Sequence, residues 1–445
     1  MKPIAMSTAT PPPAVLIICR HFPPANDTGA RRPYFLARAL QASGHRVSIM
    51  TGRHNGTPWN ADISGFTVMR FEPSQVQGDL SRIQRLLARL DRSAANGPLR
   101  GPFRFLADMT LPVNHSTRWN VDGDLVEREL GRPDIIVATG PPWDVLETGH
   151  ALAERFGATF IVDERDPWNA VIDGVYLKCL NWHGKGITGA LRAARMRRTE
   201  ERILRNADGM TAASPAYLEN ALHMAPRTPA RVVLNGILPV EPAPYDAPNE
   251  KFTMIYTGRI YEEQDWGAIL RALDHILEEY PGTAADIVLE LWGSVTDRPD
   301  ILGSLHEWGA RTGMLVARPM MDRDRLAAIG QRADLLLSVI CEGNSGQIPL
   351  KLMDYMAWGR PILLVGRTKG IQHELIANTR TGSSAATTGE LVRQILEAHG
   401  RWRAGTTITD RPGPEMMAEL RLDEQMSSWK EFILECHARA KRSRT

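Results

Sequence analysis

Residues 348–363 read IPLKLMDYMAWGRPIL. Pro349 near the start and Gly359 near the end bracket an apolar, helix-spaced stretch of about three turns, and PIL runs on as a strand. Lys351 and Asp354 stand i,i+3 on one helix face. Two readings are open. The charges form an intrahelical ion pair worth a few tenths of a kcal/mol, or they receive a ligand that is itself polar at two points.

Working outward, short apolar runs alternate with helix-period segments on both sides of this stretch. AVLIICRHFPP (14–24) is continuous and apolar, as buried parallel strands are. The glycine-containing loop ANDTGA follows, then a helix in which Phe35, Leu36, Ala39 and Leu40 fall on one face, then the strand RVSIMTG. Strand, loop, helix, strand is a βαβ unit and requires a parallel sheet. GFTVMRFE, DIIVATG, ATFIVDERD, ADGMTAAS and ARVVLNG continue the pattern. It restarts at FTMIYTGRI and runs through ADIVLELWG, GMLVARP, ADLLLSVI and PILLVG. Between the two series, LPVEPAPYDAPNE (238–250) is proline-rich and has no period, which reads as a linker. The expected division is a disordered leader over 1–13, an N-terminal domain over 14–240, a linker over 241–250, a C-terminal domain over 251–420, and a helix with a basic tail over 421–445. The fold class is α/β, with two Rossmann-like doubly wound domains facing a central cleft, and ligands are expected there.

Composition narrows the function. A chain of 445 residues exceeds one ordinary core, and 43% hydrophobic with 23% charged residues is a globular balance. A net charge of +2 gives no global pull toward nucleic acid. Cys19, Cys179, Cys341 and Cys436 lie far apart with no metal-ligand spacing, so reduced cytoplasmic thiols and no metal are expected. No G-x-G-x-x-G opens either domain, which disfavours a dinucleotide oxidoreductase.

In order along the chain, FPPANDTGARRPYFLARALQASGHRV, RDPW (165–168), ADGMTAAS, VVLNG, YTGR (256–259) and IPLKLMDYMAWGRPIL resemble the GT-B retaining glycosyltransferases of the group-four type. The resemblance spans nearly the whole chain. It implies transfer of a sugar, with retention, from a nucleotide-sugar donor to a glycan or lipid-linked acceptor in surface polysaccharide or glycoconjugate synthesis. It implies Gly258, Arg259, Gln264, Gly346, Lys351, Leu352 and Asp354 as donor-side positions. Thr28 and Gly29 become the phosphate or sugar loop, and Arg165 and Asp166 the candidate catalytic pair. Retention in this fold proceeds by front-face attack assisted by the donor phosphate, so no protein nucleophile is required and no cofactor is implied. The chain departs from the family pattern at Gly346, where a glutamate is common, and at Gln264, where a lysine is common. Arg165–Asp166 replaces a common histidine–aspartate pair.

The chemistry of these residues agrees with such roles. A helix N-terminus favours a diphosphate, lysine supplies a point charge, and a carboxylate accepts from ribose hydroxyls. Arg259, at a strand's carboxyl end, offers a fork of donors to phosphate, or else caps loop carbonyls. Arg165–Asp166 also reads as a structural pair backed by Trp168. The basic stretches 81–92 and 190–205 read either as helices meeting an anionic membrane or as packed helices with solvated arginines. They lack the aromatic platforms of nucleic-acid binders. A cytoplasmic protein, peripheral to the inner membrane face under the first of those readings, is expected. Two other functions remain open: a nucleotide-sugar epimerase on the same fold, and a non-catalytic nucleotide-sugar-binding subunit.

Overall fold

The computed structural model describes residues 11–26, 28–53, 59–71, 121–168, 171–172, 175–176, 186–243, 249–293, 299–341, 346–366, 369–406 and 417–444. The basic segment 81–92 lies outside them. The chain divides into two compact units. One comprises Met1–Ala170, Trp182–Val233 and Met426–Thr445, and the other Val171–Asn181 and Leu234–Gln425.

In the first unit the strands are β1 (Val15–Cys19), β2 (Val47–Gly52), β3 (Thr67–Phe71), β4 (Ile135–Gly140) and β5 (Thr159–Glu164). The short β6 (Val171–Ile172) and β7 (Val175–Tyr176) pair antiparallel in the second unit. β8 (Gly209–Ala212) and β9 (Ala230–Val232) complete the first sheet, ordered β3-β2-β1-β4-β5-β8-β9 and parallel throughout. Every residue of β1, β2, β4 and β5 is buried, the physical reason these strands read as predominantly apolar. Cys19 pairs in register with Thr51 on one side and Thr139 on the other, so the carboxyl ends of three strands lie level where the strand order reverses.

The helix Leu422–Arg444 ends the chain. Trp429, Ile433 and Cys436 are buried at i, i+4 and i+7, one helix face against the first unit. Gly209 makes room for it, since a Cβ there would come within 2.6 Å of Cys436 Sγ. In the Gly186–Asn206 helix, Met196, Glu200, Ile203 and Leu204 are buried while Arg197, Arg198, Arg202 and Arg205 are exposed. That is a packed helix with a solvated basic face. Among the described residues no helix is long and apolar enough to cross a membrane.

The second sheet contains β10 (Phe252–Thr257), β11 (Ile287–Trp292), β12 (Leu315–Arg318), β13 (Leu335–Val339), β14 (Ile362–Val365) and β15 (Gly382–Ala385). Its order is β12-β11-β10-β13-β14-β15, again wholly parallel. Alternation along β10 divides its side chains between two cores, Met254 and Tyr256 facing one and Ile255 the other. The strand order reverses between β10 and β13.

The quoted stretch forms the helix Leu350–Trp358, with Pro349 just outside it as N-cap and Gly359 left-handed at φ 67° as C-cap. Leu352, Met353, Tyr355, Met356 and Trp358 are buried. Gly330 admits the Trp358 ring, which a Cβ there would approach to 2.0 Å. The described part of the 238–250 stretch is tied to the second unit. Ala243 N–H donates to Gln331 Oε1 at 2.9 Å, and Gln331 Nε2 donates to Glu241 O at 3.0 Å.

Candidate functional site

The carboxyl end of β10 carries Gly258 and Arg259. Gly258 sits at φ +86°, a conformation that costs other residues strain, and a Cβ there would meet nothing within 4 Å. Its N–H donates to Trp292 O at 3.0 Å, which turns the chain outward and leaves Arg259 half-buried beyond the strand. The helix Leu350–Trp358 is clasped to this end at two points. Tyr355 Oη accepts from Thr257 N–H at 2.9 Å, and Lys351 Nζ donates to Tyr256 Oη at 2.6 Å. The ammonium also lies 3.9 Å from the centre of the Tyr256 ring.

Tyr256 has one hydroxyl hydrogen, and its closest acceptor is Arg259 O at 2.5 Å. The hydroxyl thus donates to the backbone of one site residue while accepting from another. Burial holds the Tyr256 phenol in its neutral form, well above its ordinary range. Desolvation also pushes the Lys351 ammonium down to about 7. A buried cation so placed favours an arriving anion.

Asp354 ion-pairs with Arg323 Nη2 at 3.6 Å, a partner far away in sequence. Its side chain stays 19% exposed, enough to reach a hydroxyl-bearing ligand. Leu352 is fully buried, and its N–H already serves Pro349 O at 3.0 Å. Gly346 is buried.

Gln264 has an interior role. Its Oε1 accepts from Tyr261 N–H at 3.0 Å and lies 3.3 Å from both Trp266 Nε1 and Tyr256 Oη. Its Nε2 donates to Val339 O at 2.9 Å. The amide pins β10 to β13 at the switch point and seats Tyr256, on which Lys351 rests.

In the first unit, Thr28 and Gly29 open the helix Thr28–Ala42, Thr28 exposed and Gly29 buried. Arg165 donates from Nε to Gly140 O at 3.1 Å and from Nη2 to Pro141 O, bracing the loop after β4. The backbone carbonyl of Asp166 accepts from Trp143 Nε1 at 3.4 Å, and Trp143 stacks on Trp168. Burial raises the Asp166 carboxyl despite the guanidinium next to it.

From the sequence, Asp163 and Glu164 crowd the end of a strand in FIVDERDPW, whereas Asp144 and Glu200 were missed. Asp163 is wholly buried and fully bonded: Arg32 reaches it through Nε at 2.9 Å and Nη2 at 2.7 Å, while Thr139 and Thr211 hydroxyls each donate at 2.7 Å. Glu164 and Glu200 are both buried, and burial plus this neighbouring acid raise Glu164 well above 4.5. Asp144, also buried, begins the helix Asp144–Phe156, and desolvation lifts it to about 7 against the pull of Arg20. Asp163 and Glu164 stand out as acids ending the apolar run of FIVDER; nothing local flags Glu200.

Residues 29–236 match the sequence model of the glycosyl transferase 4-like domain. Over that stretch, just under half of its length, the chain is similar to glycosyltransferases of the group-four type. Known structures share the fold along nearly the whole length of this chain. Sucrose-phosphate synthase from Thermosynechococcus elongatus superposes with a TM-score of 0.63 at 16% identity, covering 96% of this chain and 100% of that one. HepE of Anabaena, in complex with UDP and glucose, gives 0.59 at 12% identity, covering 95% and 100%. The E. coli trehalose-6-phosphate structure bound with UDP-2-fluoro glucose gives 0.59 at 14% identity, covering 95% and 99%. These likenesses establish the two-domain GT-B fold. No curated protein matches the chain in sequence.

Proposed function

We propose that this transferase takes a sugar, with retention, from a nucleotide-sugar donor seated at the switch point of the second unit, and passes it to a glycan or lipid-linked acceptor in surface polysaccharide or glycoconjugate synthesis. The observation that carries the reading is the convergence of Gly258, Arg259, Lys351 and Asp354 where the order of the second sheet reverses. Arg259 and Lys351 neutralise the diphosphate, the first amides of Leu350–Trp358 add donors, and Asp354 accepts from the ribose. UDP is the natural first probe, because HepE and the E. coli structure were solved with UDP or a UDP sugar. The diphosphate oxygen takes the acceptor proton as the glycosidic bond breaks, so no side chain serves as nucleophile. With two cations supplied by the protein, turnover proceeds without a divalent metal.

Calorimetric titration with UDP and with pyrophosphate tests the donor side. Asp354→Asn keeps the shape but accepts more weakly, so it should reduce UDP affinity more than pyrophosphate affinity. A panel of nucleoside diphosphates of which none binds the wild type would overturn the reading. Turnover abolished by EDTA and restored by magnesium or manganese would overturn its metal-free part.

A further inference from the structure

The second unit holds a cavity of about 280 Å³ at the opposite edge of its sheet from the donor-side cluster. Leu335, Ile362 and Gly382 line it, and they are the first residues of β13, β14 and β15. The donor-side cluster adjoins the other end, where Gln264 Nε2 meets Val339 O at the last residue of β13. Five strand residues separate the two, about 13 Å at the rise of a parallel strand.

Three arginines face this cavity, Arg360, Arg380 and Arg401, and no aspartate or glutamate is among its lining residues. Arg360 is nine-tenths buried, donating from Nε to Ala333 O and lying 3.6 Å from Asp334. Arg401 Nε is buried and has no hydrogen-bond partner among the described residues. Arg380 holds φ 53°, the one positive φ outside glycine among the described residues, as C-cap of the helix Ile371–Thr379. Ser383 and Gln394, bonded to each other at 2.9 Å, complete a polar wall.

Arginines near helix C-termini often only offset the dipole, and three helices end here, at Gly359, at Arg380 and, just past Arg401, at Arg403. Those ends contribute about −0.5 charge each, and Asp334 a further charge, against three guanidiniums. A positive excess remains around a partly open volume, and a buried guanidinium N–H without a partner is costly unless something accepts from it.

We propose that this cavity is a second anion site, separate from the donor site, which takes a small phosphate monoester through Arg360, Arg380 and Arg401, with Ser383 and Gln394 meeting hydroxyls. A volume near 300 Å³ is the lower end for small-molecule pockets and suits a phosphorylated monosaccharide better than a whole nucleotide sugar. The shared chemistry is the phosphate, so free inorganic phosphate and a sugar phosphate are compared.

The test titrates inorganic phosphate, glucose 6-phosphate and gluconate into the full chain saturated with UDP, so that the donor site is already filled. Arg401→Gln and Arg380→Asn are the variants, asparagine being tolerated at a left-handed position. Glucose 6-phosphate should bind, and each substitution should weaken it about 10- to 100-fold, as for loss of a charged hydrogen bond. UDP affinity should be unchanged in both variants. Inorganic phosphate binding more tightly than glucose 6-phosphate would overturn the monoester assignment. Gluconate binding equally well would overturn the phosphate assignment. Affinity unchanged in both variants, or binding lost whenever UDP is present, would overturn the site itself. Should Arg401→Gln unfold, Arg401→Lys retains charge without the Nε donor and is expected to weaken binding in the same direction.

Discussion

Arg32 and Lys351 are both cations drawn into the protein, and they differ in what answers their charge. Arg32, with a 2% exposed side chain, has a bidentate carboxylate, a carbonyl at 2.6 Å and the face of Trp429 at 4.3 Å. Asp163 opposite it has every lone-pair direction served by guanidinium or threonine hydroxyl. Lys351 has a phenol oxygen and an aromatic face, with one hydrogen bond among the described residues for its three N–H groups. The satisfied cation braces the fold: its network ties the helix Thr28–Ala42 to β5, β4, β8 and the C-terminal helix. The under-answered one is a place where an anion gains by arriving.

The largest expected effect tests the first half of that contrast. Arg32→Ala strands Asp163 in a water-free interior, and breaking a buried pair costs about 3–5 kcal/mol. Urea melts should show a loss of that size. A change below about 1 kcal/mol would mean that the network is dispensable.

Lys351 should behave in the opposite way. Lys351→Met keeps the apolar stem, so stability should stay within about 1 kcal/mol. UDP affinity should fall by about 2–4 kcal/mol, roughly 30- to 1000-fold. Because the folded ammonium lies near 7 against an ordinary 10.5, the unfolded chain holds that proton between those values and the folded chain does not. Stability without ligand therefore gains from this group as pH rises through the window. A diphosphate draws the proton back, so UDP binding at pH 8 should take up a proton, read as a dependence of calorimetric heat on buffer ionisation enthalpy. The same uptake in Lys351→Met would sever Lys351 from the diphosphate.

Gln264→Leu sharpens the comparison from behind the site. It leaves Tyr261 N–H and Val339 O without their partner, at an expected cost of about 1–3 kcal/mol. Thermal melts check the loss, and UDP affinity should weaken less than in Lys351→Met because Tyr256 is displaced, not removed.

The smallest effect concerns Glu164, an acid paired with an acid. Its folded value is raised, so its stabilising contribution is complete below 4.5 and is lost as pH rises through the folded value. Glu164→Gln removes that penalty. The variant should be more stable than wild type at pH 8, with the gap narrowing toward pH 5 in parallel urea melts. A gap independent of pH would show that its surroundings do not raise the Glu164 carboxyl.

Much of the fold was legible because buried parallel strands need continuous apolar sequence, which VLIIC, IIVA and ILLV supply. β15 reads GSSA, too small and polar to announce itself. It is a strand because Gly382 packs so tightly on β14 that a Cβ would lie 1.9 Å from Ile362 O. The charged face of Lys351 and Asp354 was legible from its spacing. Its partners were not, since Tyr256 lies 95 residues before Lys351 and Arg323 on a separate helix.

Local sequence thus determined the two βα series, the helix with its proline and glycine punctuation, and the charged pair upon it. Periodicity and backbone preference act over a few residues and are readable there. Only the tertiary structure decided that Lys351 turns to a phenol, that Asp354 turns to Arg323, and that Gln264 and Arg32 are spent inside. Those outcomes depend on which distant groups are near enough to satisfy a desolvated charge, and proximity of that kind is set by the strand order of each sheet.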